Sequence, residues 1–448
     1  MKGSAFTSAA APRASRRSGP RAAAALSLVA AMFLAGCVGS GSMAPPRRSA
    51  KAAPPSPPIF DADLPAAGGP ASGAPPAVQE AGQIPGQTAS YMTGQPAGQV
   101  IGNGPVRVAL ILPLSGAGQG AVAAQSMRNA AELALSEMQG SPLTILVKDD
   151  RGTPEGAREA ANQAIAEGAE LIVGPLFAGS VQAAGQIARQ SGRPVIAFST
   201  DTGVATRGVY LLSFLVQEEV DRVIAYAASQ GRRSVVALVP QTTYGSVAEA
   251  QFREAAARQG MRVVAVERYV PGQQRTAVQR IASLVAGPAP QADTLFLPDG
   301  GDGLPAVAQA LQAVGFDPQR VKPIGTGLWN EPRVLALPAL QGGWFAAPDG
   351  RGFEAFAARY RARFNTDPIR LATLSYDAVT LAATLAQVHG SQRFAEGVLT
   401  NSAGFAGADG VFRFKADGTN DRALAVQEIR GGGAVMVSAP PRALLAAH

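Results

Sequence analysis

Residues 106–114 read VRVALILPL, a nearly continuous apolar run of the kind that a strand buried on both faces requires. It is followed by AAQSMRNAAELALSEM (123–138), with apolar residues at helical spacing, and then by LTILVKDD (143–150), the next strand. Thr153-Pro154-Glu155 supplies an N-cap, a first-turn proline and an acid at the positive end of a helix dipole, predicting a helix that runs to about Gly168. ELIVG, PVIAFST, SVVALVP, MRVVAVERYV, DTLFLP and VKPIGT repeat the strand signal, each separated from the next by a helix-like segment. This alternation predicts an α/β protein of parallel sheets with right-handed crossovers and helices on both faces. Residues 105–448 exceed what one such sheet needs, and the pattern restarts after a weaker strand signal at GVYLLSF (208–214), so two lobes are expected.

In such a sheet, ligands bind outside the carboxyl ends of the strands, so the loops that follow them carry the candidate residues. Ser115 follows the first strand in a glycine-rich turn, LSGAGQG. Its G-x-G-x-x-A spacing is disturbed by Pro113, its nearest strand-end acids, Asp149 and Asp150, come about 30 residues later, and no G-K-[ST] follows, so neither a dinucleotide nor a P-loop site is expected. Ser180, after GPLFAG, is placed to cap a helix and to form part of a carboxylate site with the free N–H groups there. Ser199, Thr200 and Thr202 offer three hydroxyls at the same sheet edge. Asp149 and Asp150 are adjacent on a strand and point to opposite faces, which defeats shared-proton chemistry. With one cysteine and only His389 and His448, no internal disulfide, Cys/His zinc site or catalytic triad can be assembled, so no catalytic residue, metal or cofactor is expected.

Upstream of the body, Lys2, Arg13, Arg16, Arg17 and Arg21 precede an apolar stretch from Ala22 to Ala35 that is too short to span a bilayer and reads as an export signal. It closes on Leu34-Ala35-Gly36-Cys37, which resembles the lipobox of bacterial lipoproteins. That resemblance implies removal of residues 1–36, lipid on Cys37, and, with Val38 following, an outer-membrane anchor facing the periplasm. Residues 37–104 are rich in Ala, Pro, Gly and Ser and read as a disordered tether, reaching roughly 45 Å as a coil and about 200 Å if fully extended. Residues 1–104 hold eight Lys/Arg against three Asp/Glu, leaving 31 against 29 downstream, so the net charge of +7 belongs mostly to signal and tether. Without an aromatic-interleaved basic stripe in the body, no nucleic-acid partner is expected.

Seven blocks in order, VALILPLSG, DDRGTPEGA, LIVGPLFAGS, PVIAFSTD, LVPQTTYGS, LSYDAVTLAA and GVFRFKADG, resemble the type I periplasmic binding fold in its leucine-isoleucine-valine-binding branch, over residues 105–438. The resemblance implies two lobes, about 105–215 with 342–408 and about 216–341 with 409–438, followed by a tail at 439–448, closing on a ligand. It places a ligand carboxylate on Ser180, Thr200 and Thr202 and matches a second-lobe tyrosine to Tyr244. A further family aromatic is replaced by Asp299-Gly300-Gly301, and the acid expected to meet an ammonium falls on Glu331, with Asp299 as rival. NAAELAL, RGTPEGA, GPLFAGS, AFSTD and YLLSF resemble more specifically the penicillin-binding protein activators, lipoproteins that stimulate a peptidoglycan synthase. That subset implies a non-catalytic regulator with a synthase partner. The alternative is the receptor of an ABC importer for amino acids or related small ligands.

Overall fold

The computed structural model describes residues 99–441 and 444. The expectations for the signal peptide, for Cys37 and for most of the tether lie outside the described residues. In the first lobe, β1 (Val100–Gly102), β2 (Val106–Leu112), β3 (Leu143–Asp149), β4 (Leu171–Val173), β5 (Val195–Ala197) and β6 (Val209–Leu211) form one sheet in the order β1-β3-β2-β4-β5-β6. All neighbours are parallel except β1, which runs antiparallel along β3. The span 99–104, expected as the end of a tether, thus contains a strand. Its backbone pairs with the exposed edge of β3, and Ile101 packs on the first-lobe core.

The opening run explains itself in three dimensions. Val108, Leu110 and Leu112 face α1 (Gln119–Glu137), whereas Ala109 and Ile111 face α2 (Pro154–Ala166) and α3 (Ala178–Gln190). With helices on both sides, each residue of the period-two strand meets a core, and only Arg107 is exposed. Thr153 caps α2 as expected, its hydroxyl accepting from the Gly156 N–H at 3.0 Å.

After β6 the chain crosses at residues 212–215 into the second lobe. There α4 (Val216–Ser229), β7 (Ser234–Pro240), α5 (Thr243–Arg258), β8 (Arg262–Tyr269), α6 (Gln274–Val285), β9 (Thr294–Phe296), α7 (Gly303–Ala313), β10 (Lys322–Gly325), α8 (Pro332–Leu335) and β11 (Trp344–Ala347) build a second parallel array, ordered β11-β10-β9-β7-β8. The chain recrosses at 348–349. Helices α9 (Gly350–Phe364), α10 (Ala372–Val388) and α11 (Glu396–Leu399) and a small antiparallel sheet of β12 (Phe405–Gly407), β13 (Gly410–Phe414) and β14 (Asn420–Arg422) then complete the first lobe. Phe412, Phe414, Leu374 and Leu381 enter the same core as β2. A third crossing at 423–424 leads to β15 (Ala425–Arg430) and β16 (Gly433–Ser438), which extend the second sheet antiparallel from β11.

The lobe boundaries read from sequence therefore shift. Trp344–Ala347 belongs to the second lobe because it pairs parallel with β10, and residues 409–422 belong to the first because the aromatic face of β13 is buried there. Nothing in the local pattern of either segment says which of two similar cores will take it.

Candidate functional site

Both sheets reverse their strand order beside their first parallel strand, β2 in one lobe and β7 in the other, creating the crevice where α/β proteins bind ligands. In the first lobe the loops after β2 and β4 meet there. Gly174 allows the approach: its φ is 91°, and a Cβ on it would lie 2.1 Å from the Ile111 carbonyl oxygen. The result is a cleft of about 320 Å³ bounded by the first turns of three helices. Gly116, Ala117 and Gly120 line it from the loop before α1 and its first turn, Gly152 and Pro154 from the loop before α2 and its first residue, and Phe177, Gly179 and Ser180 from the cap and first turn of α3, with Arg151 and Pro113 also lining it. Neither α1 nor α3 has a side-chain cap, so their first-turn N–H groups are available to an acceptor.

Ser180 was expected at the cap of α3, but that helix starts earlier, with Phe177 at the cap position. Ser180 therefore sits inside the first turn, only 1% exposed; the residue lines the cleft, while its hydroxyl is buried on the side of Asp150. Behind it lies Asp150, completely buried, whose Oδ1 accepts from the Gly152 N–H at 2.9 Å. Burial pushes the Asp150 carboxyl up to about 6, opposed by that backbone bond and by the approach of the Ser180 hydroxyl, which stops short of hydrogen-bond geometry. Asp149 behaves oppositely. Although its partial burial favours a proton, hydrogen bonds from Ser115 and Arg151 outweigh that and hold its carboxyl below the usual range. Both acids thus serve their own turns. Phe177 narrows the cleft: a Cβ on Gly120 would lie 2.8 Å from its ring and one on Gly152 3.3 Å.

The other sequence-predicted residues are dispersed. Ser115 is exposed, and its N–H binds Asp149 at 3.2 Å. Ser199 is buried, and its hydroxyl accepts from the Asp201 N–H at 3.1 Å, so it shapes the β5 turn. Thr200 is partly buried on that turn, and Thr202 Oγ1 receives Gln217 Nε2 at 3.4 Å. None of Ser115, Ser199, Thr200 and Thr202 lines the cleft that holds Ser180.

In the second lobe, Tyr244 hydrogen-bonds Thr326 Oγ1 at 2.7 Å, linking the loops after β7 and β10. Asp299 receives the Tyr269 hydroxyl and, at 2.7 Å, the Gly300 N–H. Glu331 pairs with Arg333 at 3.0 Å, and Arg333 also reaches Asp302 at 2.6 Å.

Sequence reasoning missed Glu219. It lies in the first turn of α4, accepts from the Gly327 N–H at 2.9 Å and fills the space over that glycine, where a Cβ would meet its Oε1 at 2.5 Å. Burial pushes its carboxyl up to about 7, with the Gly327 N–H and the Arg370 charge opposing. Its sequence signal, two glutamates opening a helix, also fits an ordinary dipole-stabilised N-terminus. Among the described residues, no group of acids, histidines or cysteines could hold a metal ion, and no helix is long and apolar enough to cross a membrane.

Among curated proteins, none matches this sequence. Solved structures do. A Rhodospirillum rubrum structure provisionally assigned to a branched-chain amino acid ABC transporter is 20% identical with a TM-score of 0.65, covering 74% of this chain and 99% of its own. An R. palustris ABC-transporter solute-binding protein in complex with benzoate is 21% identical, with a TM-score of 0.54 and coverage of 75% and 97%. A branched-chain amino acid transporter substrate-binding protein from Streptococcus pneumoniae in complex with isoleucine is 20% identical, with a TM-score of 0.52 and coverage of 75% and 99%. These identities speak to the fold, which is the two-lobed α/β architecture described above. The family described as periplasmic binding protein matches residues 105–434, and this chain belongs to it.

Proposed function

We propose that the chain is an extracytoplasmic, non-catalytic receptor that delivers a small carboxylate-bearing solute to an ABC importer. The observation that carries this is the cleft itself: the uncapped first turns of α1 and α3 open onto it, and Ser180 is among the residues that line it. Free N–H groups at two helix starts are matched by an anionic oxygen. The test is thermal unfolding of the full chain against leucine, isoleucine and benzoate. A ligand at a hundredfold excess over its Kd adds about 2.7 kcal/mol of stability. Ser180→Ala is expected to weaken that ligand roughly tenfold to a hundredfold, the worth of one hydrogen bond to a charged group. A flat response across carboxylates, or a ligand indifferent to Ser180→Ala, refutes the reading.

A second reading, activation of a peptidoglycan synthase by protein contact, is favoured by Phe177, whose ring takes up space between Gly120 and Gly152 that a solute would use. Recovery of a glycan polymerase or transpeptidase with the full chain from envelope extract, together with a flat ligand response, selects it. Under either reading Cys37 carries lipid and residues 38–98 serve as the leash from the outer membrane.

A further inference from the structure

Among the described residues, several unsatisfied buried polar atoms lie beside the crossings. Arg422, the last residue of β14 before the third crossing, is 4% exposed, and all three of its guanidinium nitrogens lack a hydrogen-bond partner. The flat faces of the group are occupied: Cζ stands 4.8 Å from the ring centre of Phe214, in the first crossing, and 5.5 Å from that of Phe412. Its N–H edge is what remains. On α10, Asp377 is 2% exposed. Its Oδ1 accepts from the Ala408 N–H at 2.6 Å, but its Oδ2 has no partner. The two charges attract each other yet make no ion pair within 4.0 Å. Asn420, two residues before Arg422, ties the same strand to the first crossing through the Ser213 carbonyl at 3.1 Å.

A contrasting pair lies alongside. Arg370, also over Phe214, reaches Asp409 at 2.6 Å, and Asp409 takes the Thr373 hydroxyl at 2.5 Å, so this second arginine is anchored. Arg422 is therefore not short of an acid by composition, since one acid stands available for each arginine. What separates it from Asp377 is position. Arg422 sits one residue before chain that passes into the second lobe, whereas Asp377 is fixed in the second turn of an α10 buried in the first-lobe core. A buried guanidinium with unmatched donors and a buried carboxylate with an unmatched oxygen, left unpaired in one lobe, cost several kcal/mol, and a displacement of the crossing that brings them together removes that cost. Packed cores respond to such demands by switching between discrete arrangements.

We infer that Arg422 and Asp377 form a hinge latch, unmade in the arrangement described and made in a second arrangement of the two lobes. Phe214 and Phe412 hold the guanidinium plane and leave its edge to swing onto Asp377 as the third crossing turns. The inference concerns the hinge and holds whether the cleft receives a solute or a protein.

The test uses the full chain with Cys37→Ser, and with Gln186→Cys on α3 and Ser283→Cys on α6, both exposed, as the only thiols for spin labels. Pulsed dipolar spectroscopy without ligand should give two interlobe distances. Asp377→Asn and Arg422→Met should each lower the population of one of them at least tenfold. The double variant should go no further than either single one, because both remove the same pair. A single distance common to all four proteins overturns the latch, as do effects that add in the double variant. Asp377→Asn is isosteric, so if Arg422→Met does not fold, an unchanged distribution in Asp377→Asn is sufficient to overturn it.

Discussion

Asp377→Asn also makes a sharp prediction about pH. In the folded protein Asp377 is 2% exposed, and burial raises its carboxyl from 3.8 to about 7, against the attraction of Arg422 and the Ala408 N–H. A carboxyl whose folded value lies above its unfolded value favours the folded state while it holds its proton. That contribution is complete below about pH 4 and is lost as pH rises through about 7. At roughly 1.4 kcal/mol per unit, the three-unit gap sets a ceiling of about 4 kcal/mol, most of it lost between about pH 4 and pH 7. Relaxation around the buried charge reduces this to about 2 kcal/mol. Asparagine does not titrate, so stability of the wild type minus that of Asp377→Asn should fall by about 2 kcal/mol from pH 4 to pH 8. Asp150, Glu218 and Glu219 are raised in the same direction, to about 6, 7 and 7, but are present in both proteins and cancel in the difference. The measurement is urea unfolding of the full chain by far-UV circular dichroism at four pH values. Trp329 and Trp344 both lie in the second lobe, so their fluorescence would under-report this site. Parallel pH profiles for the two proteins would refute the argument.

Gly325→Ala should destabilise the second lobe by about 3 kcal/mol, because its Cβ would lie 2.0 Å from the fully buried Trp329 ring, whose Nε1 donates to Leu297 O at 3.1 Å. An unchanged unfolding midpoint by tryptophan fluorescence would count against this packing. Thr153→Ala should cost about 1 kcal/mol through loss of the α2 cap, with Thr153→Ser recovering most of it; equal stability of all three proteins would remove the cap from the account. Cys37→Ser should leave an unprocessed precursor without lipid while the body still folds, as judged by metabolic labelling with palmitate and by circular dichroism. Continued processing and labelling would end the lipoprotein reading.

Some of this was legible before any coordinates. The run at 106–114 demanded a strand buried on both faces, and Thr153-Pro154-Glu155 marked a helix start to the residue, because each is a short-range requirement that only neighbouring residues can meet. The loops after the strands were also the right place to look, and Ser180 was found there. Its role was not: a serine at a helix start reads as a cap, and only the early start of α3 puts Ser180 inside the first turn, buried beside Asp150. Ser199 and Thr202 read alike in sequence, yet they are held by Asp201 and Gln217.

The amino-acid order by itself determined the alternation of strand and helix, and with it the parallel sheets and the family, because period and capping are properties of contiguous residues. Tertiary structure alone decided which lobe took β11 and β13, and placed Glu219 over Gly327. It also set Arg422 between two aromatic rings and left its nitrogens, like one oxygen of Asp377, without a hydrogen-bond partner. Those outcomes depend on surfaces brought together from chain segments 45 to 208 residues apart, Arg422 against Asp377 and Phe214, and no local pattern records which buried charge will find its partner.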